Sequence, residues 1–436
     1  MKFYNREKEI SLLREVAENA TSSAQMTFMV GRRRIGKTSL MLEVFKAENY
    51  VYLFIARKNE AVLCNELISE IQLKLDLPIY GEIKSFKQVF QILMDYSKRH
   101  SFTLIIDEFQ ELQNINPSIY SDMQHIWDST KEKSKINLLA CGSIYSMMTR
   151  IFENSKEPLF GRATQRIHLR PFNIDCLKQI LGEQYPTYTA EDLLAFYLFT
   201  GGVAKYVELI IQAKAFTKEA IIDVVLAENS IFLDEGKNVL IEELGKEYGN
   251  YFSILSLIAS GKTSRVEIES IMEMQTGGFL KRLESEYYLV KKIRPILAKP
   301  NTRKLKYAIE DNFLSFWFRF IFKHKSAVEM GNLSYLKEVL ERDYKTYSGL
   351  ILEKYFTEKL SQEKKYNQVG RYWEKANQNE IDIVAVNDIE KKVVFAEVKR
   401  QKGNISLSKL KTKSLTLQQK FNGYTFSFKA LSLEDM

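Results

Sequence analysis

Residues 31–38 read Gly31-Arg-Arg-Arg-Ile-Gly36-Lys37-Thr38, and the spacing G-x-x-x-x-G-K-[ST] is that of a loop whose backbone wraps a phosphate chain. Gly31 and Gly36 are expected to supply backbone angles that other residues resist, so that successive N–H groups converge on phosphate oxygens. Lys37 would reach the β- and γ-phosphates of ATP, and Thr38 would ligate Mg²⁺. A strand over Met26–Val30 should precede the loop. A helix starting near Lys37 should follow, its positive end turned to the anion.

A second segment completes the pattern. Phe102-Thr-Leu-Ile-Ile106 has the composition of a buried strand, and Asp107-Glu108 stand where it leaves the sheet. Asp107 is expected to hold Mg²⁺ through water, and Glu108 to orient or deprotonate the attacking water. The competing reading is a glycine-rich turn beside a solvated acidic pair.

Composition sets the frame for these motifs. The chain has 436 residues, 45% hydrophobic and 27% charged, which predicts a globular protein of two or three domains. No run approaches the length of a membrane span, and the N-terminus lacks an apolar signal core, so a cytoplasmic protein is expected. Cys64, Cys141 and Cys176 are scattered without metal spacing and read as buried thiols. Only four histidines occur, which argues against histidine-based zinc or acid–base chemistry. The net charge of +8 permits a polyanionic partner without requiring one.

Strands and helices alternate from Met26 to Leu169, with strands expected at Met26–Val30, Tyr50–Ile55, Phe102–Ile106, Asn137–Ala140 and Gln165–Leu169. Amphipathic helices over Glu60–Leu75 and Phe86–Lys98 lie between them. That rhythm predicts a parallel sheet covered on both faces. A helical stretch from Ile174 to Gly245 follows. Three short helices come next, at Tyr251–Ala259, Val266–Met274 and Gly278–Glu286. A basic excursion from Arg294 to Lys306 completes the outline of a winged helix-turn-helix. The rings of Phe313–Phe322 are expected in a core rather than on a base-stacking surface. From about Tyr347 a second α/β unit is expected, with strands near Glu380–Val386 and Lys392–Lys399. The expected division is 1–172 for the ATPase core, 173–248 for a helical lid, 249–310 for the winged helix and 311–436 for the last domain.

The order of motifs resembles the archaeal-type ATPase family, AAA-like relatives of the origin-recognition and STAND ATPases. The resemblance is carried by Phe3-Tyr-Asn-Arg6-Glu7, the phosphate loop, Ile106-Asp-Glu-Phe-Gln110, Ala140-Cys-Gly-Ser143, Pro158-Leu-Phe-Gly-Arg162 and Gly201-Gly-Val-Ala-Lys-Tyr206. It covers nearly the whole chain. It implies a P-loop NTPase sheet with a helical lid, a winged helix-turn-helix, and a C-terminal domain similar to the PD-(D/E)XK restriction-endonuclease-like fold. It also implies that Arg6 lies near the nucleotide edge, Ser143 acts as a polar sensor, and Arg162 serves as an arginine finger. A surface ion pair is the alternative for Arg162. The family usually has proline where this chain has Ala204.

In the last domain a hairpin would bring Asp382 beside Glu397, with Lys399 two residues on and on the same face. Such a pair binds Mg²⁺, and a neighbouring lysine stabilises charge. Glu353 resembles the additional acidic residue of these nucleases. Lys281 and Arg282 on the third winged helix, with Arg303, Lys304 and Lys306 on the wing, are suited to DNA phosphates. Glu284 and Glu286 oppose that. The expected function is an ATP-hydrolysing, Mg²⁺-using switch that engages DNA, with a C-terminal metal-dependent nuclease and homo-oligomers left open. The alternatives are an ATP-regulated DNA- or protein-binding regulator with a silent nuclease-like domain, and a STAND-type signalling or defence ATPase.

Overall fold

Apolar side chains of the inner strands of the first sheet point to both of its faces, and this builds two cores. In the computed structural model, residues 3–299, 302, 304–374 and 378–436 are described. The chain divides into two compact units, with the boundary at Pro171–Phe172.

The first unit contains β1 (Gln25–Val30), β2 (Tyr50–Phe54), β3 (Phe102–Asp107), β4 (Ile136–Gly142) and β5 (Gln165–His168). They form one five-stranded sheet in the order β2-β3-β4-β1-β5, and every pairing is parallel. Phe28, Leu104, Ile106 and Leu138 join the core on one face. Met29, Ile105, Leu139 and Cys141 join that on the other. Both faces are dry because parallel strands need crossover helices, which cover the sheet twice. The phosphate loop leaves the C-terminal end of β1, and Asp107 ends the next strand but one.

In the second unit, helices between Ile174 and Leu244 lead to three more, Tyr248–Ala259, Arg265–Met272 and Gly277–Ser285. An antiparallel pair, β6 (Val290–Ile293) and β7 (Lys306–Ile309), completes the winged arrangement. The expected aromatic helix is α-helical only over Asn312–Phe316 and continues as a π-helical turn over Trp317–Ile321. Its rings are buried, as expected, and they act as a hub. Phe316 meets Phe199 edge-on at 4.8 Å, Phe318 meets Phe252 at 5.3 Å, and Phe320 meets Tyr347 at 5.2 Å. The segment therefore ties the helical stretch and the winged helices to the long helix Leu333–Gln362.

That helix leads to a four-stranded sheet of β8 (Gln368–Tyr372), β9 (Ile381–Asn387), β10 (Lys392–Val398) and β11 (Thr425–Leu431), in the order β11-β10-β9-β8. β8 is a strand the sequence reading lacked. Three consecutive strands pair antiparallel, and helix Leu407–Gln418 carries the chain over to β11, parallel to β10.

Gly236 shows how tightly the hub is packed. A Cβ there would come within 2.2 Å of the Trp317 ring, whose indole N–H donates to Leu233 O at 2.8 Å. Gly236→Ala should destabilise the second unit by about 1–3 kcal/mol through overpacking. Thermal denaturation will show this as a lowered midpoint, and an unchanged midpoint would mean the hub yields freely.

Candidate active sites

The two loop glycines serve different physical needs. Gly36 has φ +96° and caps the helix Lys37–Phe45, as the sequence spacing requires. Gly31 is not in the left-handed region. It is needed because a side chain would meet Leu169 O at 2.8 Å, where the chain leaving β5 passes close by. Close approach, not backbone angle, fixes that glycine.

Lys37 is buried, and its Nζ donates to Gly31 O at 2.6 Å and Arg32 O at 3.0 Å. Burial pushes its pKa down, while the charges of Glu108 and Asp107 partly offset this. Thr38 Oγ1 donates to Asp107 Oδ2 at 2.8 Å, which joins the first turn of the loop helix to the end of β3. Tyr52 on β2 donates to the same oxygen at 2.8 Å, and the other Asp107 oxygen accepts the Glu108 N–H at 2.9 Å. Burial and the adjacent carboxylate push the Tyr52 hydroxyl far up, so it remains a donor.

Glu108 sits at φ +53°, a conformation that costs a non-glycine residue free energy. Its carboxylate accepts from Ser143 Oγ at 2.7 Å and from the Gln110 side chain. Ser143 follows β4, so two strand ends fix one carboxylate. Gly142 beside it has no room for a Cβ, which would lie 2.3 Å from Gln110 Oε1. Tyr52 and Gln110 were missed by the sequence reading. Tyr52 lies two residues before Phe54, the register partner of Asp107, so strand register would have found it.

Arg6 and Arg162 are both held by protein groups. Arg6 is buried, donates to Arg170 O at 2.8 Å and lies 3.6 Å from Glu9. Arg162 grips Asp128 through Nε at 3.1 Å and Nη2 at 2.7 Å. It also donates to Pro158 O and Phe160 O. In this conformation Arg162 is the surface ion pair named above as its alternative.

In the C-terminal sheet, Ala396 pairs with Ile383, so the next positions outward are Glu397 and Asp382. Asp382 Oδ2 accepts the Val398 N–H at 2.8 Å. Lys399 Nζ lies 3.4 Å from Asp382 and 3.8 Å from Glu397, and Lys413 reaches Glu397 at 3.4 Å. The expected convergence of Asp382, Glu397 and Lys399 is present, with Lys413 as an addition. Glu353 does not complete a three-carboxylate cluster. Among the described residues no three His, Cys, Asp or Glu side chains gather as a metal group. Arg371 takes the Glu353 carboxylate instead, at 2.8 Å.

The basic residues of the winged helix are divided. Lys281 and Lys304 are exposed, and Arg282 pairs with Glu247 at 3.1 Å. Lys306 is engaged within the second unit: its ammonium lies 3.1 Å from Glu380 and 4.7 Å from the centre of the Trp373 ring. Arg303 lies outside the described residues. Glu284 on the third helix is paired with Lys292 of β6.

Comparison with known proteins fits this geometry. Residues 3–210 match the family described as an ATPase domain predominantly from Archaea, and residues 317–415 match one described as archaeal and bacterial proteins of unknown function. Over residues 3–210 the chain is thus similar to that ATPase domain, and over residues 317–415 to the second family. An uncharacterized protein of Methanocaldococcus jannaschii is 29% identical over 406 residues, covering 91% of this chain and 87% of that protein. Among solved structures, a Walker-type ATPase of Pyrococcus abyssi superposes with TM-score 0.55 at 18% identity, over 72% of this chain and 96% of that one. The ORC2 protein of Aeropyrum pernix, solved in ADPNP–ADP complexes, gives 0.52 at 14% identity, over 75% and 96%. No helix of the described residues is long and apolar enough to cross a membrane.

Glu353 provides a test by pH. Burial pushes its carboxyl up to about 7, the nearby Asp382 charge adds to this, and Arg371 opposes it. A raised carboxyl pKa means the folded chain holds a proton that the unfolded chain has lost, so stability falls as pH rises from about 4.5 to 7. Denaturant unfolding across that window should show a decline that Glu353→Gln removes. An identical pH profile in the variant would contradict the assignment.

Proposed function

We propose that the chain is an ATP-hydrolysing molecular switch that engages DNA and cuts it at a metal-dependent site in its C-terminal sheet. The observation that carries the ATPase half is the Thr38–Asp107 contact at 2.8 Å beside the phosphate loop. Two hard oxygens from separate elements meet there, a donor set suited to Mg²⁺. Bound there, Mg²⁺ would neutralise charge on the β- and γ-phosphates. Lys37 exchanges its loop carbonyls for phosphate oxygens, and Glu108 orients or deprotonates water. Ser143 and Gln110 hold Glu108 in position for that task. Arg162 stabilises the transferred phosphoryl group only after it releases Asp128, which makes its contribution conditional on a rearrangement. Binding of ADPNP and ADP by the Aeropyrum pernix protein supports a nucleotide here.

Asp382 and Glu397 form the second site, with Lys399 beside both carboxylates to stabilise charge on a phosphodiester. Lys281, Arg282 and Lys304 supply phosphate contacts from the winged helix, without sequence reading. The four-part division 1–172, 173–248, 249–310 and 311–436 assigns these tasks to separate segments of a cytoplasmic protein.

A regulator that binds without cutting is the second reading. It is favoured by the lysines that already balance both carboxylates, Lys399 and Lys413. Incubation of plasmid, linear and single-stranded DNA with Mg²⁺ or Mn²⁺, with and without ATP, separates the two. Cutting that disappears in Asp382→Ala supports the nuclease, whereas intact DNA under every condition leaves the regulator. For ATP turnover, Lys37→Ala should lose nucleotide affinity. Glu108→Gln should bind ATP but hydrolyse it about 100-fold more slowly; parental turnover by that variant would remove Glu108 from the mechanism.

A further inference from the structure

A cavity of about 490 Å³ lies in the second unit between the winged hairpin, the aromatic segment and the long helix. This is within the size range of small-molecule sites. Asp382, Glu397 and Lys399 do not line it. Its apolar wall includes Ile258, Ile293, Ala308 and Ile351, and its charged lining side chains are seven cations against the two carboxylates Glu353 and Glu358.

The charges around it do not cancel. Lys291 is balanced by Glu310 at 3.4 Å, Lys306 by Glu380 at 3.1 Å, and Lys292 by Glu284. Arg371 has Glu353 at 2.8 Å, and Lys354 has Glu358 at 3.8 Å and Asn312 Oδ1 at 2.7 Å. Arg294 and Arg319 also line the cavity, and neither forms an ion pair among the described residues. Arg294 is exposed at its edge. Arg319 spends one N–H group on Ala259 O at 3.0 Å and lies 5.4 Å from the centre of the Tyr347 ring.

Two donor atoms of the lining lack a hydrogen-bond acceptor among the described residues. Tyr347 is 2% exposed, and its hydroxyl makes no well-formed bond among the described residues, although Ser315 is beside it. Arg371 Nε is likewise buried without an acceptor among the described residues, while its Nη2 reaches Glu380 at 3.4 Å. Buried donors without partners are costly in a native structure. A ligand that supplies acceptor oxygens would relieve both and neutralise the excess arginines. The apolar wall and the Tyr347 ring suit a body that is not itself charged.

We propose that this cavity binds a small phosphorylated molecule of nucleoside monophosphate size, its phosphate held by Arg294 and Arg319 and its body against the apolar wall. Phosphate matches the planar donor fork of arginine and accepts several bonds at once. The site is separate from the phosphate loop and requires neither hydrolysis nor DNA cutting.

The experiment is calorimetric titration of the full chain, already saturated with ADP and Mg²⁺ so that the phosphate loop is occupied. The titrants are AMP, inorganic phosphate, and a 5′-phosphorylated single-stranded oligonucleotide. Saturable one-to-one binding of AMP or phosphate is expected, weakened at least about tenfold by Arg294→Glu and by Arg319→Leu. AMP binding much tighter than phosphate identifies a nucleotide-like ligand, and equal binding identifies recognition of the phosphate alone. Arg294→Glu alters an exposed side chain, and an unchanged melting temperature will confirm that it folds. Absence of saturable binding by AMP and phosphate overturns the proposal. So does binding that neither substitution changes, or binding of the oligonucleotide alone.

Discussion

The hydrogen bond from Thr38 to Asp107 ties the phosphate loop to the central sheet. It joins a helix start after β1 to the end of β3, strands separated by β4 in the sheet. Parallel pairing holds their C-terminal ends on one side, so residues 69 positions apart in sequence meet. Tyr52 reaches the same carboxylate from β2, and Ser143 reaches Glu108 from beyond β4. The acidic pair is thus positioned from both neighbouring strands. That rigidity allows Glu108 to remain in an unfavourable backbone conformation, since the surrounding bonds over-determine it.

The second unit depends on a different constraint. Its aromatic segment packs against the helical stretch, the winged helices and the long helix, so these parts share one core rather than three. Gly236 exists to admit Trp317. The C-terminal carboxylates are held by lysines and a backbone N–H, whereas Glu353 is held by Arg371. Arg371 also approaches Glu380 at 3.4 Å, and Lys306 of the winged hairpin approaches the same carboxylate. These shared partners connect the hairpin electrostatically to the edge of the last sheet.

Much of the first unit was legible because its signals are local. The five strands and the helix Glu60–Leu75 follow from apolar runs and periodicity, with ends that moved by only one or two residues. The need for Gly31, by contrast, arises from Leu169, which no local spacing reveals. Tyr52 and Gln110 required strand register and a turn geometry. In the second unit β8 was missed because Gln368-Val-Gly-Arg-Tyr372 is short and mostly half-exposed, with neither a continuous apolar run nor clean alternation. Lys306 illustrates the limit of charge patterning: a basic residue on a basic hairpin faces Glu380 and Trp373. Asp382 and Glu397 were legible as a pair because a hairpin fixes their register. Glu353 was not, since its partner is chosen by the packing of a helix on β8.

Manganese binding measured by electron paramagnetic resonance in the presence of ADP tests the joined Thr38–Asp107 pair most directly. The full chain should bind Mn²⁺ together with nucleotide, and Thr38→Val and Asp107→Asn should each weaken the metal at least about tenfold, as expected when a ligand or its support is lost. Parental metal affinity in both variants would contradict the claim that this pair organises the ATP site.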